Sequence, residues 1–141
     1  MTRIDFYILP SADPLARLDF ACKLSEKAWR LGNRIHVHCR DQAQREALNA
    51  RLWSFKGESF LPHDLQEAEP ASPITLGLDE NQAEGDLLIN LAMSVPACFS
   101  RFARVAEVVI EEPESRQAAR ENFRFYRQGG YPLQDHKLTR V

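Results

Sequence analysis

Glycine is scarce in this chain. There are six among 141 residues, and none in the first strand-to-helix turn, LPSADP at 9–14. That turn cannot wrap a pyrophosphate in the GxGxxG manner, and no GxxxxGK run ending in Ser or Thr occurs anywhere. Cysteine is also rare. Cys22, Cys39 and Cys98 are odd in number, widely spaced and without a CxxC pair, which favours free thiols in a reducing compartment over a disulfide framework. No apolar run approaches the ~20 residues that span a bilayer. The opening MTRIDFYIL is strand-like and carries Asp5 early, unlike a signal peptide, so the expected location is cytoplasmic. Positive charge is not in excess either. The formal net charge of −2 argues against a protein that coats DNA through many phosphate contacts, though it leaves room for a local basic site. Neither GxSxG nor HExxH is present, and Ser59, His63 and Asp64 do not become a triad by being close in sequence. The lack of a catalytic constellation favours a binding module over an enzyme.

What is present is an alternating α/β pattern. Arg3–Leu9 reads as a buried strand, and Asp13 and Pro14 supply a cap and first turn for a helix over Pro14–Leu31. Leu15, Leu18, Cys22 and Trp29 are its expected inner stripe, widened by Phe20, Leu24 and Leu31, with Trp29 a core anchor. Arg34–Cys39 is a second strand, and Asp41 caps a helix to about Leu52 with Ala43, Ala47, Leu48 and Leu52 facing inward. A short strand is expected within Pro73–Leu78, another at Asp86–Leu91, a short helix near Ala97–Phe102, and a last strand at Arg104–Ile110. These predict one domain over 1–141: a three-layer, Rossmann-like α/β sandwich with a mostly parallel central sheet.

Two stretches between these elements stand out. Trp53–His63, WSFKGESFLPH, has large aromatics and no regular period. A loop with Trp53, Phe55, Phe60 and Leu61 either folds back onto its own core or offers an apolar patch to a partner. His63 to Asp86 holds seven carboxylates and no lysine or arginine, a solvated edge that would repel DNA. His36 and His38 share one strand face, and His63 and Cys98 are the further ligands a zinc site would need, but no closely spaced ligand pair supports a metal. No cofactor is expected.

The C-terminal part, SRQAARENFRFYRQGGY at 115–131, reads as a basic helix. Arg116, Arg120 and Arg124 are spaced i, i+4, i+8 and stack on one face, with Arg127 following. Phe123, Phe125, Tyr126 and Tyr131 are interleaved, and Gly129-Gly130 can end the helix. From Glu114 to Tyr131 the charge is +2 against −2 for the whole chain. A solvated helix face has the same spacing. Guanidinium forks also grip carboxylates and phosphates, so an acidic peptide, a nucleic acid and a phosphorylated metabolite all stay open at this point.

Taken together, FYIL, AWRLGNRIHVHC, LWSFKGESFLPH, DLLINL and ARENFRFYRQGGY resemble the chi-subunit family of bacterial DNA polymerase III. Residues 64–85 and the tail after Leu133 match poorly and carry nothing over. The resemblance implies a non-enzymatic clamp-loader adaptor that joins the psi subunit to the acidic C-terminal tail of single-stranded DNA-binding protein, a tail rich in aspartate and ending in proline and phenylalanine. It implies that Arg116, Arg120 and Arg124, with Arg127 extending the ridge, meet the tail's carboxylates, Arg120 taking the terminal one, while Phe123 walls the pocket for the last ring. It implies further that Trp53, Phe60, Leu61, Pro62 and His63 face psi, and that a helicase-like repair partner uses the same surface. Neither a membrane nor direct DNA contact is expected. The alternative is a domain that binds single-stranded nucleic acid directly through the same basic helix.

Overall fold

A computed structural model describes residues 1–55, 61–69, 72–80 and 83–140. Among the described residues, seven strands form one sheet: β1 (Arg3–Ile8), β2 (Ile35–His38), β3 (His63–Leu65), β4 (Ile74–Gly77), β5 (Leu87–Asn90), β6 (Arg104–Val109) and β7 (Leu133–Lys137). Their order is β3-β4-β2-β5-β6-β1-β7, and every neighbouring pair is parallel. The inner strands are nearly continuous apolar runs because both of their faces are covered.

Helices α1 (Pro14–Arg30) and α2 (Gln42–Ser54) cover one face, and α3 (Pro113–Gln128) covers part of the other. On the α1/α2 side, Ala21, Leu24, Leu48 and Leu52 pack against Val37, Ile89 and Val108. On the α3 side, Tyr126 packs with Ile4, Phe6, Leu88 and Val105. Strand alternation accounts for the division, since successive side chains on β1, β5 and β6 point to opposite layers. Asp13, Asp41 and Glu112 cap the three helices through hydrogen bonds from backbone N–H groups of their first turns.

The α/β sandwich is as expected, and the sheet is entirely parallel. Several local expectations are corrected. Arg104–Val109 is not the last strand. Leu133–Lys137 follows α3 and pairs with the free edge of β1, with Ile4 opposite Leu133 and Ile8 opposite Lys137. Its sequence, LQDHK, lacks an apolar run because an edge strand needs to bury little. His136 supplies the anchor by stacking on Tyr7 at 4.6 Å and pairing with buried Asp5 at 3.1 Å. His63–Leu65 likewise forms a strand at the opposite edge. The expected Ala97–Phe102 helix shrinks to a single 3-10 turn at Phe99–Arg101.

Leu15 is exposed and Leu31, beyond the last turn of α1, is 74% exposed, so neither joins the inner stripe. Ala16, Ala21 and Ala28 take those places beside Leu18 and Leu24. On α2, Ala43 and Ala47 face solvent, whereas Arg45 is buried and ion-paired with Glu67 at 2.8 Å. The helix is turned so that Arg45 meets the acidic stretch.

Candidate ligand cleft and aromatic edge

The α3 helix begins at Pro113, with the Glu112 carboxylate accepting from Glu114 N and Ser115 N, both at 3.0 Å. It ends at Gly129-Gly130, and Gly130 takes the left-handed conformation at φ +77° that favours glycine. Three of its residues are buried: Ser115, Asn122 and Tyr126. Each is hydrogen-bonded. Ser115 Oγ accepts from Ile110 N at 3.1 Å, Asn122 Nδ2 donates to Met93 O at 3.3 Å, and Tyr126 Oη donates to Glu107 Oε2 at 2.7 Å.

Glu107 projects from β6 beneath the helix and also accepts from Asn90 Nδ2, at 3.0 and 3.2 Å. Burial raises its pKa, opposed by the hydrogen bonds from Asn90 and Tyr126. The Tyr126 phenol is raised by its own burial and by the Glu107 carboxylate. These directional bonds fix which side of α3 faces the sheet.

The opposite consequence of that rotation is a cleft of about 740 Å³ between α3 and the β6-β1-β7 edge. Phe6, Ile8, Val109, Ala119 and Phe123 make its apolar surface. Phe123 is half-buried, its ring 5.6 Å from Phe6 at 57°. Arg116, Arg120, Arg124 and Arg127 line it from the helix, and Lys137 adds a cation from β7. The spacing of the four arginines therefore does bring them to one cleft, together with Phe123.

Glu111 and Asp135 are the acids of the lining. Among the described residues, none of the four arginines forms an ion pair with a carboxylate. Arg120 Nη2 donates to the neutral Gln117 Oε1 at 2.8 Å, which holds the guanidinium without neutralising it. A basic rim over an aromatic floor is suited to an acidic ligand with an apolar end. Sequence reasoning missed Lys137, Asp135 and the β1 floor, because they depend on the unforeseen pairing of β7 with β1.

The described part of the aromatic stretch lies toward the other edge of the sheet, where β3 begins at His63. Trp53, near the end of α2, is 59% exposed, and its ring lies 4.9 Å from that of His63. His63 is buried, and its Nδ1–H donates to Leu61 O at 2.6 Å. Pro62 is half-buried beside them. Leu61 is only 2% exposed and belongs to the main core, so it supports this surface from below and does not reach outward. Phe60 lies outside the described residues. Phe55 is also half-buried against the core, so the stretch does both things open to it: part folds back and part faces out.

His36 and His38 share the α3-side face of β2, as alternation requires. His36 Nδ1 meets Thr75 Oγ1 at 2.8 Å, and burial pushes the ring's pKa down to about 4, with His38 adding to the shift. Among the described residues, no three His, Cys, Asp or Glu side chains gather as a metal site. All three cysteines are free and buried, and burial pushes the Cys22 and Cys39 thiols up to about 12. Among the described residues, no helix is long and apolar enough to cross a membrane.

Fold and site together define a doubly wound α/β domain that keeps the parallel sheet, lacks a glycine-rich phosphate turn, and carries a basic, aromatic-floored cleft on its last helix. The model of the family described as "DNA polymerase III chi subunit, HolC" matches residues 1–134, and the chain belongs to that family. It is 58% identical over 142 residues to the DNA polymerase III subunit chi of Pseudomonas aeruginosa, covering the whole of both chains. Identity to the subunit chi of Escherichia coli is 30%, covering 94% of this chain and 96% of that one. For Haemophilus influenzae it is 29%, covering 91% and 92%.

Proposed function

We propose that the chain is a non-catalytic adaptor of the polymerase III clamp loader, with a peptide site at each edge of its sheet. The α3 cleft takes the acidic C-terminal tail of single-stranded DNA-binding protein. The arginines meet the tail's aspartates and its terminal carboxylate, and the last phenylalanine ring lies on Phe123 and Phe6. The observation that carries this reading is the convergence of four arginines, none paired with a carboxylate among the described residues, on one aromatic-floored cleft.

At the other edge, Trp53, Pro62 and His63 form the surface for the psi subunit, with Phe60 as a further contact and Leu61 holding the surface in place. A helicase-like repair partner competes for that same surface. The two sites share no residue, so both are occupied at once.

The test is a titration of a labelled acidic peptide ending in Pro-Phe. Arg120→Ala should weaken binding about tenfold, the loss of one charge-assisted hydrogen bond. Trp53→Ala should leave peptide affinity unchanged while weakening psi. Equal peptide affinities for wild type and Arg120→Ala would defeat the assignment of the cleft.

A further inference from the structure

A second cleft, of about 550 Å³, opens at the carboxyl ends of the strands. The first turns of α1 and α2, Met93 after β5, Ile110 after β6 and the start of α3 wall it. It lies where the chain leaving β1 crosses one face of the sheet and the chain leaving β6 crosses the other. That is the crevice in which doubly wound sheets bind small ligands, and its size is in the range of ligand pockets, about 300–1,000 Å³.

Arg17 reaches into this cleft from α1, although only 6% of the residue is exposed. Its Nε–H donates to Val108 O at 3.2 Å. Among the described residues, neither Nη nitrogen has a hydrogen-bond partner, and no carboxylate lies within ion-pair distance. Burial lowers its pKa, Glu107 partly offsetting this. Nε is therefore held by the sheet, while the two Nη nitrogens open onto the cleft as a fork that a planar anion there can bridge.

The acids nearby are already engaged. Asp41 accepts from Gln44 N at 2.8 Å and pairs with Arg40 at 3.3 Å. Both Glu112 oxygens accept from α3 backbone. Asp13 Oδ1 accepts from Leu15 N at 3.0 Å. Glu114 is exposed on the rim. Leu15, exposed at the mouth, faces the cleft with Leu18, Met93 and Ile110, giving it an apolar side.

We propose that this cleft binds a small monocarboxylic acid with a compact apolar body, the Arg17 fork holding the carboxylate. A carboxylate fits better than a phosphate for two reasons. The planar fork matches two carboxylate oxygens. The helix N-termini already hold their own acidic caps, and the turn at 9–14 lacks glycine, so no free backbone cradle remains for a dianion.

The experiment is a titration of the isotopically labelled full chain with isovalerate, followed in proton–nitrogen NMR correlation spectra. The amides of Leu15 and Gln44 should shift saturably with Kd of about 1 mM, the level open to so small a ligand. Isovaleramide and inorganic phosphate should leave them unmoved. Arg17→Met should abolish the shifts and Arg17→Lys should weaken binding about tenfold. The Lys variant carries the test if the Met variant loses its dispersed spectrum. Arg120→Ala should leave the shifts intact, which separates this cleft from the one under α3. Absence of saturable shifts, equal shifts with the amide or with phosphate, or unchanged binding by Arg17→Lys would overturn the proposal.

Discussion

The two faces of the sheet are covered by different means. On one, α1 and α2 bury mostly aliphatic side chains, with Arg17, bonded to Val108 O, and Arg45, paired with Glu67, among the exceptions. On the other, the three buried residues of α3 are Ser115, Asn122 and Tyr126, and each engages the sheet or its connections through a hydrogen bond. Hydrogen bonds fix direction where apolar contact does not. A helix pinned at three polar points keeps one rotation about its axis, and its remaining surface is free to carry charge. That is how an arginine-rich helix stays docked while four guanidinium groups share one cleft.

The contrast can be broken from the apolar side first. Leu48 is fully buried in the α1/α2 layer. Leu48→Ala should cost about 3–4 kcal/mol in urea unfolding, from lost burial plus the cavity, and should leave tail-peptide affinity unchanged once folded.

On the polar face, pH is the next lever. Because His36 titrates near 4 when folded and near 6.5 when unfolded, the unfolded chain binds more protons between those values. Stability is therefore full above pH 6.5 and is lost as pH falls toward 4, by on the order of 3 kcal/mol from this ring. His38, also lowered by burial, acts in the same direction. Glu107 acts oppositely: its raised pKa makes it easier to bury in acid, and its contribution is lost as pH rises through the folded value. Urea unfolding of wild type and His36→Asn across this range should show a flatter acid limb for the variant.

A smaller effect sharpens the comparison most. Tyr126→Phe removes one hydroxyl from the α3 face and leaves Glu107 with one donor fewer. It should cost about 1–2 kcal/mol. Unlike Leu48→Ala, it should also weaken tail-peptide binding a few-fold, because the helix loses one of the bonds that set its rotation. The smallest stability change belongs to Trp53→Ala, within about 0.5 kcal/mol for so exposed a residue, while psi binding is weakened.

What could be read from the sequence follows the same division. The apolar strands and the arginine spacing are local patterns, and both appear in the structure where they were expected. The polar docking of α3 was not legible, because Glu107, Asn90 and Tyr126 are scattered along the chain and meet only once β5 and β6 pair. Strand β7 escaped notice because its partner, the free edge of β1, lies 129 residues earlier, counting from Leu133 to Ile4. Leu61 was read as facing psi on the resemblance alone, since a loop without a regular period does not show which of its apolar residues fold back onto the core. Arg17 gave no signal either, being one basic residue on an amphipathic helix until its burial was known.

The central claim is that the α3 cleft grips a chain end bearing both a carboxylate and a ring. It is tested most directly with two peptides of one sequence, acidic and ending in Pro-Phe, one with a free C-terminal carboxylate and one amidated. The free acid should bind about tenfold more tightly than the amide, with the difference shrinking in Arg120→Ala. Equal affinity of the two peptides for the wild-type chain would contradict the account.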